Sequence, residues 1–176
     1  MARKKTLFTI GHSTHTTREF VRMLKANDIE LLVDVRHYPG SRYCPQFGKS
    51  RLRRNLRRNR IEYVHMVTLG GRRRPDKNSH DNDAWRSPQF RGYADYMQTE
   101  DFRKAMNELF KLARGKRTAI MCSEAVPWRC HRSLVSDSAI AHGWTVLDIF
   151  TEKKTTEHSP TPFAHFDHGE VTYPPA

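Results

Sequence analysis

Leu31-Leu32-Val33-Asp34-Val35 is an almost continuous apolar run, with no alternation that would leave one side polar for water. A strand of that kind is buried on both sides, which calls for a sheet covered by helices above and below. Comparable segments recur at Thr6–Ile10, Arg117–Met121 and Thr145–Phe150, and helical periodicities lie between them. Strands alternating with helices predict one α/β domain spanning residues 1–176: three layers, with a mostly parallel sheet covered by helices on both faces. Ligands in that architecture bind outside the carboxyl ends of the strands. The fold class thus says where a site belongs before any residue is given a role.

The intervening segments read in the same way. Thr14 or Thr16 caps a helix that turns Phe20, Val21, Met23 and Leu24 inward. The stretch from Arg36 to Gly48 holds Tyr38, Pro39, Gly40 and Pro45 and is a loop. Lys49–Asn59 is a helix with Leu52 and Leu56 one turn apart and Arg51, Arg54 and Arg58 nearly opposite. Two leucines make a thin core stripe, so this helix belongs at the periphery. Ile61–Val67 is a third strand, and Gly70–Pro88 is a long polar loop, the best candidate for a mobile segment or lid. One or two helices cover Tyr93–Ala113, and another follows from Ser133 to a stop at Gly143. Thr145–Phe150 is then the last strand. Residues 151–176 are expected to be a largely irregular tail, in which His158, His165 and His168 are exposed polar residues.

The formal charge is +12, and its location matters more than its size. Between Arg42 and Arg74 there are ten Arg and one Lys against Glu62 alone, a net of +10. Such a concentration marks an anion-seeking surface, with nucleic acid or a phosphate-bearing small molecule as the expected partner. A solvated Arg-rich helix without a partner is the plain alternative. No apolar run is long enough for a membrane span, and the amino terminus lacks a secretory apolar region. Three cysteines, an odd number, do not suggest a disulfide framework in a chain of this length. The expectation is a cytoplasmic protein with free thiols and no membrane association.

Three chemically loaded turns should meet at the carboxyl edge of the sheet: Gly11-His12-Ser13, Asp34-Val35-Arg36 and the segment from Cys122 to Arg132. In the last, a thiol at a strand end is followed by a short loop and a helix start, where the helix dipole and arginines favour a thiolate and attract oxyanions. His12, Cys122 and Glu124 are the candidates for catalysis, as proton carriers and nucleophile. Ser13, Asp34, Arg36, Arg42, Arg129, His131 and Arg132 are the candidates for ligand binding, and Arg51, Arg54 and Arg58 for contact with nucleic acid. Asp34 and Arg36 form either a charge pair that orients His12 or Arg132, or a structural salt bridge. Tyr38, Tyr43 and Trp128 are available to stack on bases. Cys130 and His131 should diverge by about 100° on a regular helix and need not act together. Cys122, Cys130 and His131, completed by His12 or Cys44, have the donor types zinc takes, but their spacing fits no common zinc module. Neither a metal nor a cofactor is expected.

Several motifs recur in order in one family: Thr9-Ile10-Gly11-His12-Ser13, Asp34-Val35-Arg36 with Pro39, Ser41 and Arg42, Leu69-Gly70-Gly71, Phe90-Arg91-Gly92-Tyr93-Ala94, and Cys122 to Arg132. On these the chain resembles domain-of-unknown-function family 488, a set of small prokaryotic proteins. The resemblance covers nearly the whole sequence and implies no particular activity. More distantly, the Asp34-Val35-Arg36 entry and the strand–Cys–loop–Arg–helix order are similar to rhodanese sulfurtransferases and Cys-dependent phosphatases. That resemblance implies Cys122 as nucleophile in a cradle of backbone amides, with Arg129 or Arg132 clamping the anion. The sequence departs from that pattern in a longer loop, in Glu124, and in Pro127-Trp128 where small residues are usual.

Three functions follow as expectations. The first is an enzyme-like site for an anionic, phosphate-bearing ligand, nucleic acid or nucleotide being favoured. The others are a non-catalytic nucleic-acid-binding module and a Cys-dependent sulfurtransferase or redox protein.

Overall fold

A computed structural model describes residues 5–40 and 42–176; Ser41, one of the motif residues, lies outside the described residues. Strand β1 (Thr6–Gly11) is followed by α1 (Thr17–Ala26), β2 (Leu31–Asp34), α2 (Lys49–Arg58) and β3 (Glu62–His65). Next come α3 (Pro88–Tyr96), α4 (Glu100–Gly115), β4 (Thr118–Cys122), α5 (Arg132–Ala141) and β5 (Thr145–Thr151). The chain ends with β6 (Lys154–Glu157), β7 (His165–Asp167) and β8 (Glu170–Thr172). Six strands form one sheet in the order β3-β2-β4-β1-β5-β6. Strands β1 to β5 run parallel, and β6 is antiparallel to β5. The mostly parallel α/β sheet is therefore as expected.

Successive strand residues feed opposite cores, as the two-residue period demands. Phe8, Ile10, Leu32 and Met121 pack with α1, α2 and Phe47 on one face. Leu7, Val33, Val35 and Ile120 pack with α3, α4 and α5 on the other. Helix α1 is capped by Thr16, whose hydroxyl accepts from the Glu19 amide at 3.1 Å. Helix α2 buries only Leu52 and Leu56, so it sits at the periphery as its thin stripe implies. Ser87 caps α3, which starts five residues earlier than the periodicity at Tyr93 suggests.

The ends of the chain depart most from expectation. Beyond Thr151, the β6 strand pairs with β5, and β7 and β8 form a small hairpin. Val171 and Tyr173 enter the core beside α5. The polar 70–88 loop is pinned rather than loose. Buried Asn82 donates to Asp95 at 2.8 Å and accepts from the Tyr173 amide at 2.9 Å, while Asp95 also accepts from the Asp76 amide at 2.8 Å.

His158, expected in an exposed tail, is buried. Its Nδ1 lies 2.7 Å from Asp148 and its Nε2 is 3.8 Å from Asp137. Thr9 donates to Asp148, and Thr161 and Tyr173 donate to Asp137. This network ties β1, β5, α5 and the tail together, and so steadies the helix whose first turn reaches the site. Burial opposes protonation of His158, but hydrogen bonds and charge from the two aspartates outweigh it and push its pKa up to about 9.

Because that value is raised, the linked stabilisation is complete below the ordinary histidine value of about 6.5 and is lost as pH rises through about 9. Its size is roughly 3 kcal/mol. Urea midpoints of the wild type should fall across that window, whereas those of His158→Gln should change little and lie below wild type at the acid end. A wild-type profile as flat as that of the variant would remove this role.

Candidate functional site

The three loaded turns converge. His12, Arg36, Cys122, Ser123, Glu124, Arg129, Cys130 and His131 line one cleft of about 350 Å³ at the carboxyl edge of the parallel strands. The strands deliver them directly: Gly11 is level with Cys122, and Asp34 with Met121. Backbone pairing continues past the strand ends, with the His12 and Ser13 amides donating to the carbonyls of Cys122 and Ser123 at 3.0 Å each.

Ser13 takes a left-handed φ of 44°, which turns the chain sharply after His12. The His12 ring then stacks on Phe47, with centroids 4.5 Å apart. Its Nδ1 meets the Ser13 carbonyl at 2.9 Å, and its Nε2 faces Arg36 Nη1 at 3.4 Å. A guanidinium only donates, so Nε2 accepts and Nδ1 carries the proton. Burial lowers the His12 pKa, and Arg36 lowers it further against the pull of the Ser13 carbonyl. His12 is thus a neutral imidazole, with its lone pair directed at Arg36.

Asp34 forms a bidentate pair with Arg36, Nε to Oδ1 at 2.9 Å and Nη2 to Oδ2 at 2.8 Å. The Tyr63 hydroxyl donates to the same carboxylate at 2.5 Å. The salt bridge is therefore present, and Asp34 reaches His12 only through Arg36; among the described residues it makes no hydrogen bond to Arg132. Arg36 stands on the wall of the cleft, nearly buried, with its geometry fixed by Asp34.

Arg132 occupies a different place from the one its sequence position suggests. It is 1% exposed and lies beneath the loop rather than in the cleft. Its Nη1 donates to the Cys122 sulfur and, at 2.6 Å, to the Glu124 carbonyl, and Nη2 donates to the Ala125 carbonyl at 3.3 Å. The loop after Cys122 therefore turns carbonyls inward onto a cation, the reverse of an amide cradle. Gly11 makes room for it: a Cβ there would stand 1.6 Å from the Glu124 carbonyl oxygen.

Burial pushes the Cys122 thiol up, but a hydrogen bond from Cys130 and the Arg132 guanidinium outweigh it and hold it below the ordinary value of 9.0. Burial and the Cys122 sulfur push Cys130 well above that value. The two cysteines divide the roles, one toward thiolate and the other a thiol. His131 precedes α5 instead of lying within it, so its ring does not diverge from Cys130; their Sγ and Nδ1 are 3.5 Å apart. Its Nε2 lies 2.8 Å from the Val35 carbonyl, and burial lowers its pKa to about 4, so it carries no charge for an anion.

Glu124 and Arg129 line the cleft with exposed side chains. Arg42, Arg51, Arg54 and Arg58 are exposed and outside the cleft. Sequence reasoning missed Arg72 and Gly71 as lining residues, although Leu69-Gly70-Gly71 stood out as a motif. Gly71 has a clear physical cause: a Cβ there would be 2.4 Å from His131 Nδ1. No group of three or more His, Cys, Asp or Glu suited to a metal ion occurs among the described residues. Nor is any helix among them long and apolar enough to cross a membrane.

Fold and site define an α/β domain with a cysteine-centred cleft at the carboxyl edge of its sheet. The sequence pattern of the family described as domain of unknown function DUF488 matches residues 16–139, and the chain belongs to that family. No curated protein and no solved structure matches it.

The arrangement around Cys122 has a direct spectroscopic consequence. The ultraviolet absorbance of a thiolate should appear below pH 9.0 in the wild type and be missing in Cys122→Ser. In Arg132→Met the step should move up by on the order of 1 to 3 pH units, since the stabilising cation is gone. A step that survives in Cys122→Ser would assign the thiolate elsewhere.

Proposed function

We propose that the cleft is an enzyme-like site for an anionic, phosphate-bearing ligand, with a nucleotide or the end of a nucleic acid strand as its occupant. The observation that carries this reading is the company Cys122 keeps. A sulfur held toward thiolate lies in a cleft that Arg36, Arg72 and Arg129 enter from separate segments. Arginine is suited to phosphate because its planar fork donates to two oxygens at once. The Asp34 carboxylate is already engaged by Arg36, so Glu124 is the carboxylate left facing the cleft.

In this reading the arginines hold the anion and Cys122, its thiolate stabilised from below by Arg132, attacks phosphorus; the S–P bond forms as the P–O bond to the ester oxygen breaks, and that oxygen leaves with a proton relayed from solvent at the rim. The His12 Nε2 lone pair moves a proton once the bound anion draws Arg36 Nη1 away from it, and Glu124 at the rim exchanges protons with solvent. Tyr38 lines the cleft with an exposed ring and Arg72 lies over that ring at 4.8 Å, an arrangement suited to stacking a base, while the exposed Trp128 ring stands next to Arg129 in the chain. The exposed arginines of α2 supply a second, sequence-independent contact to a longer strand. Thiol chemistry of this kind belongs in a reducing compartment such as the cytoplasm. The second reading, a nucleic-acid-binding module without catalysis, draws on the same exposed α2 face.

Fluorescence polarisation with an end-labelled single-stranded oligonucleotide, competed by a mononucleotide, tests the reading. Arg72→Ala and Arg129→Ala should each weaken both ligands roughly tenfold, and each should lower the salt slope for the oligonucleotide by about one. Replacing Arg51, Arg54 and Arg58 together by Ala should weaken the oligonucleotide alone. No binding at low salt, or binding indifferent to Arg72 and Arg129, overturns the proposal. Loss of binding in the α2 variant only would favour the module.

A further inference from the structure

Cys130 has no task in the reading above, yet it lines the same cleft as Cys122, and Arg132 donates to both sulfurs, its Nη1 to Cys122 at 2.6 Å. Cys130 accepts from the Arg132 amide at 3.5 Å and stands beside His131. Both sulfurs belong to residues that line the cleft, and both residues are almost fully buried. The third cysteine, Cys44, lies in the core on the opposite face of the sheet, where its thiol donates to the Ser13 carbonyl at 3.4 Å. The structure therefore places two thiols at one cleft, both against Arg132, and the third on the other face of the sheet.

We propose that Cys122 and Cys130 are a redox-active pair, which a small peroxide oxidises to an intramolecular disulfide in two steps. In the first, the Cys122 thiolate attacks one peroxide oxygen. The S–O bond forms as the O–O bond breaks, and the departing hydroxide takes up a proton to become water. Cys122 is oxidised to a sulfenic acid and the peroxide is reduced. In the second, the Cys130 sulfur attacks the Cys122 sulfur. The S–S bond forms, the S–O bond breaks, and hydroxide leaves as water with the proton that Cys130 gives up. An external dithiol restores the pair by exchange, supplying two electrons and two protons.

Burial selects the oxidant. The sulfurs are reached through the cleft and belong to buried residues, so a small peroxide reaches them where the disulfide of a folded protein does not. The Arg132 guanidinium favours the attacking thiolate, and the resolving thiol stands at the same residue's backbone amide, so a shift of the 122–131 loop brings the two sulfurs to a bond of roughly 2.0 Å. The bridge removes the thiolate that Arg132 pairs with, so oxidation switches the site off. The inference shares only this thiolate with the phosphate reading, and a mass measurement without any anionic ligand makes the two fail separately.

The intact reduced protein is exposed to one equivalent of hydrogen peroxide, quenched in acid, alkylated after denaturation and weighed. The number of alkylated cysteines should fall from three to one, with the peptides of Cys122 and Cys130 joined and dithiothreitol restoring all three. Cys44→Ser should form the same bridge. Cys130→Ser should stop at a sulfenic acid on Cys122 that dimedone traps. Three alkylated cysteines in the oxidised wild type, or a bridge that includes Cys44, would overturn the proposal.

Discussion

A guanidinium buried beneath the loop after β4 sets the terms for the rest of this site. A charge taken out of water is costly unless donors and acceptors compensate it. Arg132 obtains compensation from the carbonyls of Glu124 and Ala125 and from the Cys122 sulfur, while its Nε finds no partner among the described residues. Two consequences follow. The loop is bent around the cation, which fixes the backbone that would otherwise be a flexible connection between β4 and α5. The sulfur is also drawn toward the thiolate, because a negative partner is what the guanidinium lacks.

Around that centre, each further constraint is steric or electrostatic and local. Gly11 is bare because the Glu124 carbonyl crosses over it, and Gly71 is bare because the His131 ring packs there. Asp34 holds Arg36 with two hydrogen bonds, and Arg36 in turn fixes which nitrogen of His12 bears the proton. Asp34, Arg36 and His12 are therefore linked in series across the ends of β2 and β1. On the far side, the His158 network anchors α5 to β5 and to the tail, so the helix that carries Arg132 is held at both its flanks.

Much of this was legible in the chain itself. The apolar run at Leu31–Val35 requires a doubly covered sheet, and the parallel order then puts Gly11, Asp34 and Cys122 at one edge. Arg132 shows where such reasoning stops. From the sequence it looks like an anion clamp at a helix start, yet its side chain runs under the loop, and only the packing of Gly11 against Glu124 reveals that. Cys130 and His131 would diverge on a regular helix, but the helix begins at Arg132, after both, and the two side chains meet. The tail histidine was misjudged for a related reason. A polar residue in a Pro- and Thr-rich segment looks exposed until two aspartates from α5 and β5, distant in sequence, are brought to it.

The sequence by itself determined the layers of this fold, the edge at which chemistry can occur and the residue types gathered there, because hydrophobic period and the alternation of strand and helix along the chain are local properties. The tertiary structure alone decided which of those residues face a ligand and which face one another. Charge compensation, tautomer choice and the division of two thiols into thiolate and thiol depend on distances of a few ångströms between side chains that folding brings together, and no hydrophobic period encodes them.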